Sequence, residues 1–197
     1  MTPMTPASPH QPRADAARNR EALLAAATRV FASSETEPSM RSIARAAGVG
    51  VATLYRHFPT REALVDAVYQ DQVKRLTAGA NELLGAHPPP RALRLWMDLF
   101  QDWLATKHGM LDTLVALVES GEIAHAATRA QLLAAIDSIL EAGAVTGDIR
   151  PDADAGDIAA GLIGIFAVAG ATAHRAQAAR LFDLLMDGLR PRPAGCS

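Results

Sequence analysis

Cysteine is almost missing from this chain of 197 residues: the one thiol, Cys196, has no partner, so a disulfide framework is excluded and a reducing cytoplasm is expected. Aromatic residues amount to 5% and alternating β-branched runs are lacking, which argues against sheet structure. The longest uncharged stretch, residues 158–173, falls short of the ~20 apolar residues that a membrane helix needs, and Gly161, Gly164 and Gly170 dilute it. It reads as buried in protein, with no membrane partner expected. The N-terminal stretch is rich in Pro, Ser and Thr and has no apolar centre, so a flexible arm over residues 1–14 is expected rather than a signal peptide. Nucleophile elbows, phosphate-cradling loops and Cys/His ligand clusters are also missing, and neither catalytic residues nor a cofactor is expected.

A net charge of −2 does not by itself point to nucleic acid, but its distribution does. Residues 1–61 hold eight arginines against four acidic side chains, a surplus of four positive charges. The remainder holds 11 basic against 17 acidic residues, a surplus of six negative ones. A basic head on an acidic body suits DNA binding at one end. Every cation of the head is an arginine, the side chain whose planar fork matches phosphate oxygens.

Within that head, the segment SMRSIARAAGVGVATLYRHFPTREAL over residues 39–64 carries the strongest pattern. Met40, Ile43, Ala44 and Ala47 follow helical spacing behind the N-cap hydroxyl of Ser39, and the run stops at Gly48, which accepts left-handed backbone angles at low cost. Val49 plugs the turn. Leu54 and Phe58 then give the next helix one apolar side, leaving Val51, Thr53, Tyr55 and His57 around its other faces. Two short helices about a tight turn, the second with small or hydrogen-bonding residues outward, make a helix-turn-helix sized for the DNA major groove.

These residues, with Ala26, Ala27 and Phe31 before them and Glu62 and Leu64 after, closely resemble the DNA-binding domain of the tetracycline-repressor (TetR) family of bacterial regulators over residues 20–69. From Gly109 through the loop at 147–152 the chain loosely resembles the SbtR-like subgroup of that family, a likeness that names no ligand. The chain departs from the family pattern where Glu35 follows the first helix in place of Gly, and where Gly50, Val51 and Ala52 open the groove helix in place of Ser-Lys-Gly. A Gly in place of a capping Ser costs only a few tenths of a kcal/mol, so the fold survives while the base preference shifts. The resemblance implies phosphate contacts from Tyr55 and Arg61, with Arg41 and Thr53 nearby and His57 beside them. Gly50, Val51 and Ala52 stand at the groove end, where Val51 and Ala52 suit a thymine methyl.

The fold class is therefore all-α, and helices are expected over residues 15–32, 39–46, 50–57, 61–84, 91–106, 110–120, 124–142, 154–173 and 175–189. The first three form a helix-turn-helix domain over 15–60, joined to a helical effector-binding and dimerisation domain over 61–190, with a tail at 191–197. Ala160, Gly164, Ala167 and Ala171 make a row of small residues, and Leu181 and Leu185 belong to an apolar stripe on the last helix. The resemblance makes them a homodimer interface, the alternative being packing within one chain. Trp96, Phe100, Trp103 and Leu104, with Met110, Leu114 and Phe166, line an effector pocket or simply fill the core.

Together these features read as a ligand-responsive transcriptional repressor that binds a palindromic double-stranded DNA operator as a homodimer and is released by a small molecule. One alternative is a regulator with a packed core and no effector. Another is a carboxylate-bundle metalloenzyme, because Glu122 and His125 repeat the Glu-x-x-His spacing with Glu119 before them; such sites need a second copy of the motif, which the chain lacks.

Overall fold

The computed structural model describes residues 11–34, 37–123, 125–169 and 175–192. These residues form an all-α fold of nine helices: α1 (Gln11–Ser33), α2 (Met40–Ala46), α3 (Val51–His57), α4 (Arg61–Ala86), α5 (Pro89–His108), α6 (Leu111–Glu119), α7 (His125–Thr146), α8 (Ala155–Ala169) and α9 (Arg175–Gly188). Ala171, Glu35, Cys196 and most of the expected arm and tail lie outside the described residues.

The helix boundaries follow local chemistry. Ser39 accepts a hydrogen bond from the Ser42 N–H at 3.2 Å, and Thr60 accepts one from Ala63 at 3.1 Å, each satisfying an otherwise unpaired donor of a first turn. Glu62 sits in that same first turn of α4, and its carboxyl is held below the usual range by its own backbone N–H and the Thr60 hydroxyl. α2 ends in a Schellman arrangement: Gly48 takes φ +70°, its N–H reaches Arg45 O at 3.1 Å, and the Val49 N–H reaches Ala44 O at 3.1 Å.

Several boundaries differ from the sequence expectation, among them those of α1, α4 and α7. α1 begins at Gln11 rather than residue 15, with Pro12 in the first turn, where a missing N–H costs no helical hydrogen bond. α4 continues through Gly85 to Ala86 and stops at His87, because the following Pro88 forces its predecessor into an extended conformation (φ −139°, ψ 155°). An interior glycine costs about 1 kcal/mol, too little to end a long packed helix. α7 runs on to Thr146, past the expected end at 142.

One hydrophobic core runs through the whole molecule. It passes from Leu23, Phe31, Ile43 and Leu54 in the head, through Leu64, Val68 and Val73 on α4, to Leu93, Trp96, Ile136 and Phe182 in the body. α4 is its axis, packed against α1, α5, α6 and α7, while α5 also packs directly on α1. Trp96 is fully buried, and its indole N–H donates to Leu76 O at 2.9 Å.

The turn between α5 and α6 rests on the C-terminal end of α1. A Cβ at Gly109 would stand 1.9 Å from the Phe31 carbonyl oxygen, so only glycine permits this approach. Gly109→Ala is expected to destabilise the protein by at least 1–3 kcal/mol, roughly the cost of overpacking a core. Gly85→Ala, which meets nothing within 4 Å, should instead gain about 0.5–1 kcal/mol as a helix-interior replacement. Urea denaturation of both variants measures the contrast.

Candidate nucleic-acid interface

α3 is fastened to the head from beneath and open above. Leu54 is completely buried and Phe58 nearly so, whereas Ala52, Tyr55 and Arg56 are exposed, Tyr55 at 46%. That is the two-sided helix expected from the four-residue spacing of Leu54 and Phe58. Gly50 caps α3 in an extended conformation with no side-chain cap, and its carbonyl accepts from Thr53 at 2.9 Å and Leu54 at 3.1 Å. Arg41 and Arg45 are exposed on α2 nearby. Thr53 and His57 are half-buried, the His57 ring lying 6.5 Å from that of Phe58. Val51 is half-buried against the core, so the apolar contact expected of Val51 and Ala52 together falls mainly to Ala52.

Arg61 makes a set of contacts within the chain. Its Nε donates to Glu37 Oε2 and to Thr113 Oγ1, both at 3.0 Å, and Nη1 donates to the Pro38 carbonyl. Nη2 lies 2.8 Å from Glu37 Oε2, and the guanidinium covers the Phe31 ring at 5.8 Å. Glu37 in turn accepts from the Thr113 N–H at 3.0 Å and from the Thr113 hydroxyl at 3.1 Å. The guanidinium that was expected on a phosphate thus joins the α1–α2 loop, the start of α4 and the first turn of α6. Local sequence carries no sign of this, because Glu37, Pro38 and Thr113 are 24, 23 and 52 residues from Arg61.

The residues expected to line an effector pocket separate into three groups. Phe100, Trp103 and Leu104 share the wall of a cavity of about 240 Å³ with Tyr69, Lys107, Thr128, Arg129, Leu132, Leu133, Ala159 and Ile163. Leu114 lines a neighbouring cavity of about 330 Å³ with Leu111, Val115 and Val118, and Tyr69 and Lys107 form part of both walls. Trp96 and Met110 are fully buried core residues, and Phe166 is half-buried on α8 outside either wall. Lys107 went unnoticed in the sequence, although its position four residues after Trp103 places the two on one helix face. Burial pushes its ammonium below the ordinary lysine range and raises the Tyr69 phenol.

On α8, Ala160, Gly164 and Ala167 are exposed together with Ile163 and Val168. On α9, Leu184 is 66% exposed and Leu181 half-buried, whereas Leu185 turns into the chain against Gly161, 3.7 Å from where its Cβ would be. Leu185, half-buried like Leu181, is thus a contact between α8 and α9. The side chain of His125 lies outside the described residues, and no cluster of three or more metal-ligating side chains occurs among those described. No described helix is long and apolar enough to cross a membrane.

With Glu37 left half-buried without its cation and held only by Thr113, Arg61→Met should cost about 1.5–3 kcal/mol in urea denaturation. The slope of log affinity against log salt in gel shifts should stay as in the parent protein; a slope shallower by about 0.9 would return Arg61 to the DNA backbone.

Comparison with known proteins bears on the same two halves. Residues 23–68 match the model for bacterial regulatory proteins of the tetR family, and residues 88–191 match that for the C-terminal domain of SbtR-like transcriptional regulators. A TetR transcriptional regulator from Streptomyces coelicolor is 44% identical, with a TM-score of 0.80 over 88% of this chain and 99% of that one. A TetR transcription regulatory protein from Mycobacterium vanbaalenii is 38% identical, with a TM-score of 0.70 over 90% of this chain and 98% of that one. No curated protein matches the chain.

Proposed function

The chain belongs to the TetR family of bacterial regulatory proteins, a DNA-binding transcriptional regulator and not an enzyme, and we propose that it is a cytoplasmic repressor that binds a palindromic operator as a homodimer and leaves it when a small molecule enters the body. The observation carrying this reading is the exposed face of α3, with Ala52, Tyr55 and Arg56 outward over the buried Leu54, in the basic part of the chain. Ala52 and Gly50 stand where base edges are read, and Tyr55, Arg41 and Thr53 stand where a phosphate backbone would pass. Phosphate contacts set register and base contacts set preference. The domain division follows: a head over residues 15–60 and an effector-binding and dimerisation body over 61–190.

The dimer would form through the outward residues of α8 and α9. Ile163, Gly164, Ala167, Val168 and Leu184 are exposed and Leu181 is half-buried, which leaves apolar side chains on the outer faces of both helices, and small residues along α8 allow close helix approach. Two heads related by a two-fold axis would meet major grooves one turn apart, about 34–36 Å. Release then requires only that the ligand-bound body favour a different head separation. A regulator without an effector would need a filled body, and the open space beside Trp103 favours the responsive form.

Selection of bound duplexes from a random library, followed by sequencing, tests the central claim: an inverted repeat is expected, and failure to enrich any sequence would overturn it. Leu184→Glu should convert the dimer to monomer in sedimentation velocity and weaken binding to the selected duplex at least tenfold. Tyr55→Ala should weaken binding to selected and scrambled duplexes by the same factor, whereas Ala52→Lys should change which sequence is enriched.

A further inference from the structure

The cavity bounded by Tyr69, Phe100, Trp103 and Leu132 has a polar side with one sign of charge. Its cations are the half-buried Lys107 and the exposed Arg129, and no acidic residue lines it, the carboxylate of Glu119 belonging to the neighbouring cavity that shares Lys107. Neither cation has a carboxylate within ion-pair distance among the described residues, although the body as a whole carries a surplus of six negative charges. Several other arginines of the body are paired: Arg94 with Asp98 and Asp183, Arg150 with Asp152, Arg175 with Asp102. The Lys107 ammonium is instead held half-buried over the Trp103 ring, 5.3 Å from its centroid. Trp103 is 5% exposed and its indole N–H has no acceptor among the described residues. An unpaired ammonium and an unpaired indole donor in an apolar wall are both costly to bury, and one anionic acceptor relieves both.

From this geometry we propose that the cavity takes a small carboxylic acid with a compact aromatic or branched apolar body, its carboxylate on Lys107 and Arg129 and its apolar part against Phe100, Trp103 and Leu132. The proposal rests on the ligand-responsive reading above and specifies the ligand's chemical class. A volume of about 240 Å³ lies below the ~300–1,000 Å³ typical of drug-sized ligands, so the acid is small. Its recognition divides in two: apolar contact gives the bulk of the affinity, and the charge selects acid over amide or amine. The depressed lysine is consistent with this, since a bound carboxylate restores the charged form that burial disfavours.

Intrinsic fluorescence supplies the test, because Trp96 and Trp103 are the two tryptophans of the chain and Trp96 is sealed in the core. Titration of the full-length protein with phenylacetate should quench emission saturably, while phenylacetamide and phenethylamine should bind at least tenfold more weakly. Trp103→Phe should abolish the signal. Lys107→Met should weaken phenylacetate at least tenfold and bring its affinity to that of the amide, with Lys107→Arg restoring most of it. The apo Lys107→Met protein should melt no lower than the parent, since an unpaired buried ammonium has been removed. Equal affinities for acid, amide and amine, an unchanged affinity in Lys107→Met, or no saturable quenching by the phenyl, branched-chain and cyclohexyl acids at millimolar concentration would each overturn the proposal. Gel shifts with a selected duplex keep the two readings apart. Acid binding that leaves DNA affinity unchanged supports the site and removes only the effector role.

Discussion

The ion pair between Arg61 and Glu37, with Thr113 hydrogen-bonded to both, is the directional contact that fixes the head against the body over their shared core. It joins a loop of the head to the start of the axial helix and to the first turn of α6. Beside it the Gly109 backbone lies against Phe31 with no space for a Cβ. Both contacts are short and directional, so a displacement of α6 must either carry the head with it or break charged hydrogen bonds in a half-buried setting, at roughly 1.5–3 kcal/mol each. A continuous core beneath them leaves no slack that would absorb the movement locally.

This arrangement shortens the path from body to DNA. α4 has 26 residues and a length of about 39 Å, which suggests a long lever worked from its far end. The cavity, however, touches α4 at Tyr69, about 12 Å along the axis from Arg61. Its neighbour is lined by Leu114, the residue after the one that binds Glu37. A ligand against Tyr69 and Lys107 would press on α4, which starts at the polar junction, and on α5, which ends at Gly109 beside Phe31. The groove-reading helix follows through Phe58, which is buried in the shared core.

The sequence was informative wherever the determining interaction is local. Ser39 and Thr60 cap their helices because an N-cap hydroxyl needs only its own next turn, and Gly48 closes the turn because a Schellman motif needs only a left-handed residue followed by an apolar one. The buried side of α3 was visible in the spacing of Leu54 and Phe58. Arg61 shows the opposite case. As an arginine at the start of a helix next to a DNA-binding element it resembles a phosphate contact, and the partners it meets within the chain are brought up by tertiary packing alone. Trp96 and Trp103 looked equivalent on one amphipathic helix, yet one is sealed under Leu76 while the other borders open space.

Composition, periodicity and capping residues thus settled that the chain is helical, where most of its helices begin, and that one short helix lies open beside a basic surface. These depend on interactions within a turn or two of backbone, and such interactions are written in residue order. Which arginine is spent inside, which leucine of α9 turns inward and where the body stays unfilled were decided only when nine helices packed together. Those outcomes depend on the partner face each helix finds, and that partner is supplied by residues far away along the chain.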